Sequence, residues 1–193
     1  MSGQFTVPFG EVFLFLKRWA KNPLQLGSIA PSSKALSSFL ARNAVMNEGD
    51  YIIEIGGGTG AISRAILNSG VPETRLIVVE LDAELAKFLR KSLPFGVKVI
   101  QGNAEHLDKI LPPACLGHIS TIISALPMRN IPDSVQKNIV EACFKAMGGK
   151  GSILQYTYAL TSPLKHQDLH LEYKKLGLIL QNIPPATVWK YWR

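Results

Sequence analysis

The sequence predicts an α/β fold: a seven-stranded, mostly parallel sheet with helices on both faces and an antiparallel hairpin at its C-terminal end. Three observations carry this. Short apolar runs rich in β-branched residues alternate with segments of helical periodicity, the pattern that builds parallel sheets. The runs are apolar throughout, as strands covered on both faces are. Two further strand-like runs close the chain, separated only by a short segment containing Pro184-Pro185. With 193 residues, 47% hydrophobic, 18% charged and a net charge of +7, the chain can bury a sizeable core and is not disordered.

The elements follow in order. Phe9, Val12, Phe13, Leu16, Trp19 and Ala20 keep i, i+3, i+4 spacing, a helix ended by Asn22-Pro23. A second helix is expected over Ser33–Met46, with Ser32 as N-cap after Pro31. Strands are expected at Tyr51–Ile55, Leu76–Glu80, Val97–Gln101, Ile119–Ser124 and Ser152–Thr157. Between them lie helical segments at Ala61–Asn68, Ala83–Ser92, a short one near Glu105–Leu111, and Asp133–Met147. A helix near Leu164–Leu176 and strands at Leu178–Ile183 and Thr187–Trp192 complete the expectation. The chain divides into an N-terminal pair of amphipathic helices, 1–48, and a sheet domain, 49–193.

Cys115 and Cys143 are the two cysteines. They lack metal-binding C-x-x-C spacing and read as reduced, buried thiols of a cytosolic protein. The apolar stretch Val12–Leu16 precedes its basic residues Lys17, Arg18 and Lys21, the reverse of a secretory signal. It is also far shorter than the roughly 20 residues of a membrane-spanning helix.

The chemistry concentrates in Glu54-Ile55-Gly56-Gly57-Gly58-Thr59-Gly60, which follows the first strand and opens a helix. Glycines there let the backbone turn sharply and approach a ligand. Glu80 ends the second strand, 20 residues past Gly60, the spacing at which a carboxylate binds ribose hydroxyls. No Gly-Lys-Ser/Thr follows, so this is not a nucleoside-triphosphate loop. Glu54 would repel a pyrophosphate and suits a cationic ammonium. S-adenosylmethionine, with adenosine, an ammonium-carboxylate tail and no phosphate, fits. The plainer alternative is a tight turn without a ligand.

On these residues the chain resembles the class I S-adenosylmethionine-dependent methyltransferases, a Rossmann-like fold, from about Tyr51 to Trp192. The resemblance implies that Glu54 and the backbone of Gly56, Gly58 and Gly60 hold the methionine part and Glu80 the ribose diol. It implies that Gly102-Asn103-Ala104 meets adenine, with Asn103 where the family carries Asp. Ser124-Ala125-Leu126-Pro127 looks like the strand-four motif of amino methyltransferases, in which Ser124 would hold an amine with its lone pair aimed in line. The donor would leave as S-adenosylhomocysteine, and this chemistry calls for no metal.

A narrower resemblance is to bacterial phospholipid N-methyltransferases of the soluble, membrane-associated type, which convert phosphatidylethanolamine stepwise to phosphatidylcholine. It rests on Lys21-Asn22-Pro23-Leu24, Gly27–Ser33, the Glu54 motif, Ser124–Pro127, Gln155–Tyr158 and Asn182–Trp189. It implies a peripheral protein at the inner face of the membrane, in the cytoplasm, with a phospholipid substrate and no nucleic-acid partner. Independently, the first helix puts Phe13 and Trp19 on a face bordered by Lys17, Arg18 and Lys21, which suits an anionic membrane surface. Packing of that face on the domain's own sheet is the plainer reading. Tyr158 is expected to face the site, where an aromatic ring attracts a methylated ammonium. Arg193 or Lys190 is expected to grip the lipid phosphate. Core packing is the alternative for each tyrosine. His166 and His170, four apart on an expected helix, read as a solvated face rather than a metal site. The competing function is an rRNA adenine N6-dimethyltransferase, whose strand-four motif usually begins with Asn and ends in a base-stacking aromatic, where this chain has Ser124 and Met128. A catalytically silent membrane scaffold is disfavoured by the intact Glu54 and Glu80.

Overall fold

The computed structural model describes residues 33–193. The first expected helix, with Phe13, Lys17, Arg18, Trp19 and Lys21, the Ser32 cap and the Lys21–Ser32 stretches of the narrower resemblance lie outside the described residues.

The described elements are α1 (Lys34–Asn43), β1 (Tyr51–Ile55), α2 (Ala61–Asn68), β2 (Leu76–Glu80), α3 (Ala83–Ser92), β3 (Lys98–Gln101), α4 (Leu107–Ile110), β4 (Ile119–Ser124), α5 (Asp133–Ala146), β5 (Ser152–Thr157), β6 (Glu172–Ile179) and β7 (Ala186–Trp192). They form one seven-stranded sheet in the order β3-β2-β1-β4-β5-β7-β6. Strands β1 to β5 pair in parallel, while β7 runs antiparallel to β5 and β6 antiparallel to β7. The order reverses between β1 and β4, and such a switch point places ligands at the carboxyl ends of the parallel strands.

Alternation along the strands divides the core in two. Ile52, Val78, Ile123, Leu154 and Val188 pack under α1, α2 and α3. Ile53, Ile55, Ile122, Ile153, Trp189 and Tyr191 pack under α4 and α5. Helix α1 is part of the first layer, with Leu36 and Leu40 fully buried. Its N-cap is Ser33, whose hydroxyl accepts from Leu36 N at 3.2 Å. It stops at Asn43, short of Met46, because the chain turns to meet β4: Thr121 Oγ1 donates to Val45 O at 2.7 Å and Asn47 N to Ser120 Oγ at 3.0 Å. Cys115 and Cys143 are both free and buried, and burial pushes the Cys143 thiol up to about 12.

One expected element is corrected. The helix near Leu164–Leu176 does not form; turns occupy the first part and strand β6 begins at Glu172. Leu164, Leu169 and Leu171 are buried in the layer under α5 from this turn region. From Glu172 onward, ladder bonds to β7 and the ring stack of Tyr173 on Tyr191, 6.5 Å between centroids, outweigh local helical preference. The hairpin therefore begins six residues earlier than Leu178. His166 and His170 consequently share no helix face; His170 has a φ of 50° and the His166 ring lies 3.8 Å from that of Tyr173.

Candidate active site

The parallel strands end together at one edge, where Glu54 (β1), Glu80 (β2), Asn103 (after β3) and Ser124 (β4) are gathered. The register is direct: Glu54 pairs with Val78 and Ile123, and Ile55 with Ser124. The loop after β1 has φ of 82° at Gly56, 53° at Gly58 and 78° at Gly60, left-handed conformations that favour glycine. Gly57 has no such backbone, but a Cβ there would stand 2.4 Å from Val78 Cγ1 and 2.8 Å from Leu89 Cδ1. Its glycine is a packing requirement that spacing alone did not reveal. Gly57→Ala is expected to destabilise the protein by about 1–3 kcal/mol through overpacking, measured by denaturant unfolding.

Glu54 is fully buried. Its Oε2 accepts from Ser63 of α2, and its Oε1 has no hydrogen-bond partner. Burial pushes its carboxyl up to about 8, against the lowering effect of the Ser63 hydroxyl. Glu80 is nearly as buried; Oε2 accepts from Gly58 N at 2.8 Å and Oε1 from Asp82 N at 3.0 Å. Burial raises its carboxyl, while those backbone N–H groups pull it back. Glu80 thus braces the glycine loop as well as facing the edge. Asn103 caps a 3-10 turn, its Oδ1 accepting from Glu105 N at 3.0 Å and its Nδ2 donating to Glu105 Oε1 at 3.1 Å. The amide oxygen retains a second lone pair. Ala104 beside it is buried.

Ser124 is wholly buried and its Oγ has no partner. The loop after it leans on the glycine loop: Ala125 N donates to Ile55 O at 2.9 Å, and a Cβ on Gly56 would lie 3.0 Å from Leu126 Cδ2. Tyr158 follows β5 on the other face, its ring edge-on to Tyr156 at 5.9 Å, and burial holds its hydroxyl well above the usual phenol range. It shares the Glu54 side of the sheet rather than the Ser124 side.

Arg193 is not at this edge. Because β7 is antiparallel, its end lies at the opposite edge, beside the start of β5. There Arg193 Nη1 donates to Glu141 Oε2 at 3.1 Å and the guanidinium stacks 4.6 Å over Phe144. The expectation that it grips a headgroup is therefore corrected. Among the described residues, no group of three or more His, Cys, Asp or Glu is placed to hold a metal ion.

The structure of PigF with SAH has a similar architecture: it superposes with a TM-score of 0.65 at 15% identity, covering 96% of this chain and 62% of that one. The fold is that of the class I S-adenosylmethionine-dependent methyltransferases. No protein-family model matches the chain. An ornithine lipid N-methyltransferase of Singulisphaera acidiphila is 29% identical over 93% of this chain and 94% of its own length. A ribosomal RNA small subunit methyltransferase A of Chlorobium phaeobacteroides is 32% identical, but over 61% of this chain and only 40% of its own length.

The residues present at this edge fit the S-adenosylmethionine that the sequence implies. The unpartnered Glu54 Oε1 is a buried acceptor awaiting a donor, which an ammonium provides. At Gly58 a Cβ would meet nothing within 4 Å, so the loop leaves open space beside its backbone. Ser63, which the motif reading missed, orients Glu54; it is found only by noticing a small polar residue one helical turn inside an apolar face.

Proposed function

We propose that the protein is an N-methyltransferase acting on the headgroup amine of a membrane lipid. Phosphatidylethanolamine and its mono- and dimethyl forms are the acceptors, and phosphatidylcholine the product. The observation that carries this reading is the likeness, end to end, to an ornithine lipid N-methyltransferase, set against the partial overlap with the rRNA enzymes.

When bound, S-adenosylmethionine supplies an electrophilic methyl group on a sulfonium. The chain's part is to present the amine uncharged and in line. Counted from the ammonium form in solution, each transfer exchanges one N–H for one N–CH3 and releases one proton to solvent before the lone pair attacks. Ser124 Oγ accepts an N–H of the primary and monomethyl amines and directs the lone pair; the dimethyl form, a tertiary amine when uncharged, attacks with no N–H to hold. Positioning of this kind accounts for up to about 7–11 kcal/mol of barrier lowering.

A lipid surface is supported from two sides. Leu160 (67% exposed), Leu180 (68%) and Ile183 (83%) stand out in the loops at the same edge as the site. In the sequence, the spacing of Phe13 and Trp19 with Lys17, Arg18 and Lys21 predicts an apolar helix face with a basic border, outside the described residues. The protein is accordingly proposed to be peripheral, at the inner face of the membrane. Among the described residues, no helix is long and apolar enough to cross a bilayer.

The test offers radiolabelled donor with vesicles of phosphatidylethanolamine, vesicles of ornithine lipid, and ribosomal RNA. Label in phosphatidylethanolamine is the expected result. Label only in ornithine lipid moves the acceptor to that class; label only in RNA overturns the reading. Pelleting with anionic vesicles, weaker at high salt, is expected in parallel.

A further inference from the structure

Four polar side-chain atoms form an unmet set on one face of the sheet. Ser124 Oγ, Gln155 Oε1, Thr187 Oγ1 and Trp189 Nε1 have no hydrogen-bond partner, and their residues are 0%, 1%, 1% and 7% exposed. The strand register puts them side by side. Ser124 pairs with Gln155, and Gln155 with Trp189. Thr187 lies two residues before Trp189, so it points the same way. All four belong to the α5 side of β4, β5 and β7, at the edge where the site lies. At about 4.8 Å per strand the row spans roughly 10 Å, the scale of a small headgroup. Buried polar atoms are satisfied as a rule, and a cluster of exceptions at the edge of the site calls for an explanation.

The Gln155 amide is fixed. Its Nε2 donates to Leu126 O at 3.0 Å and to Tyr156 O at 2.7 Å, which leaves Oε1 as the unpartnered acceptor. Leu126 belongs to the loop after Ser124, so Gln155 also ties that loop to β5. The donor set is uncharged. Ser124 and Gln155 offer two acceptors for amine N–H groups. A carboxylate in their place would hold the amine as ammonium, which has no lone pair to attack with. Thr187 and Trp189, one strand further, offer donors suited to an anionic oxygen.

We infer that Gln155, Thr187 and Trp189 extend the acceptor site beyond Ser124, binding a primary amine at Gln155 and the neighbouring anionic oxygen of the same headgroup at Thr187 and Trp189. This rests on the amine methyltransferase reading above. The shared chemistry, an amine close to an anionic oxygen, occurs in a lipid headgroup and in free phosphoethanolamine, so both are assayed.

The variants are Thr187→Val, Trp189→Phe and Gln155→Glu, compared with wild type for donor affinity by calorimetry, melting temperature, and kcat and KM with each acceptor. Thr187→Val removes an unmet hydroxyl at constant volume, so it is expected to raise the melting temperature of the ligand-free protein. The same change is expected to raise the acceptor KM about tenfold, a lost hydrogen bond, with donor affinity unchanged. A hydroxyl with a structural role gives the opposite shift in melting temperature. Trp189→Phe is expected to raise the KM similarly. Gln155→Glu is expected to move the rise of the pH–rate profile to higher pH, because its charge stabilises the ammonium. Turnover of lipid but not of phosphoethanolamine assigns the headgroup in its membrane, and turnover of both assigns the amine–anion pair itself. Acceptor KM and pH profile within about twofold of wild type in all three variants, or a lowered melting temperature for Thr187→Val, overturns the inference. A wild-type protein that binds donor but methylates neither amine overturns the functional reading, and this inference with it.

Discussion

Glu54→Gln is expected to weaken S-adenosylmethionine binding by about two orders of magnitude while stabilising the ligand-free protein at neutral pH. Both effects come from one buried carboxyl with an unpartnered oxygen, pushed up to about 8 by burial. An ammonium beside Oε1 favours the ionised form, so removing the charge breaks a buried ion pair, a loss of about 3 kcal/mol or more. The pH dependence has a definite sign. A carboxyl raised in the folded state contributes stability that is fully present below its unfolded value, near 4.5, and is lost as pH rises through about 8. The ligand-free wild type should therefore lose melting temperature between about pH 5 and pH 8 relative to Glu54→Gln. Donor affinity of the wild type should rise with pH from 5 to 7, as ionisation becomes less costly, and the variant's should stay flat over that range. Calorimetry in buffers of different ionisation enthalpy reads the proton released on binding. Equal slopes for the two proteins would remove Glu54 from the ammonium site.

Glu80→Ala is expected to lower affinity for S-adenosylmethionine, S-adenosylhomocysteine and adenosine alike, by about 10- to 100-fold. Two losses combine. The carboxylate is placed to accept the ribose diol, and it also accepts from Gly58 N and Asp82 N. Charge-assisted bonds of this kind are each worth about 1.5–3 kcal/mol. Removing them frees the glycine loop and strips the acceptor. Glu80→Gln should fall between, since one amide end must turn an N–H toward a backbone donor. Calorimetry with adenosine is the sharpest measurement, because that ligand has no ammonium for Glu54. Wild-type adenosine affinity in Glu80→Ala would sink the ribose assignment.

The strands of the parallel half were legible because each is a short apolar run bounded by turn residues and buried on both faces; β1, β2, β4 and β5 end where the pattern changes. The Glu54 loop and Glu80 were legible for a related reason. Their residue types are unusual at strand ends, and the chemistry they imply is local. What failed was long-range. The stretch before Leu178 carries leucines that read as helical, and only β7, more than ten residues away, makes a strand of it. Arg193 was placed at the site on charge alone, and the antiparallel direction of β7 carries it to the far edge, onto Glu141.

Fold class, the glycine loop and the two strand-end carboxylates were legible without the structure, because hydrophobic period, glycine conformation and charge act over a few residues. Packing across the sheet, by contrast, is what closes Gly57 in between Val78 and Leu89. The same packing brings Ser63 onto Glu54 and places Ser124, Gln155, Thr187 and Trp189 on one face. Those relations join residues up to 65 positions apart. They follow from strand order and register, which are settled by how the whole sheet packs rather than by any local segment.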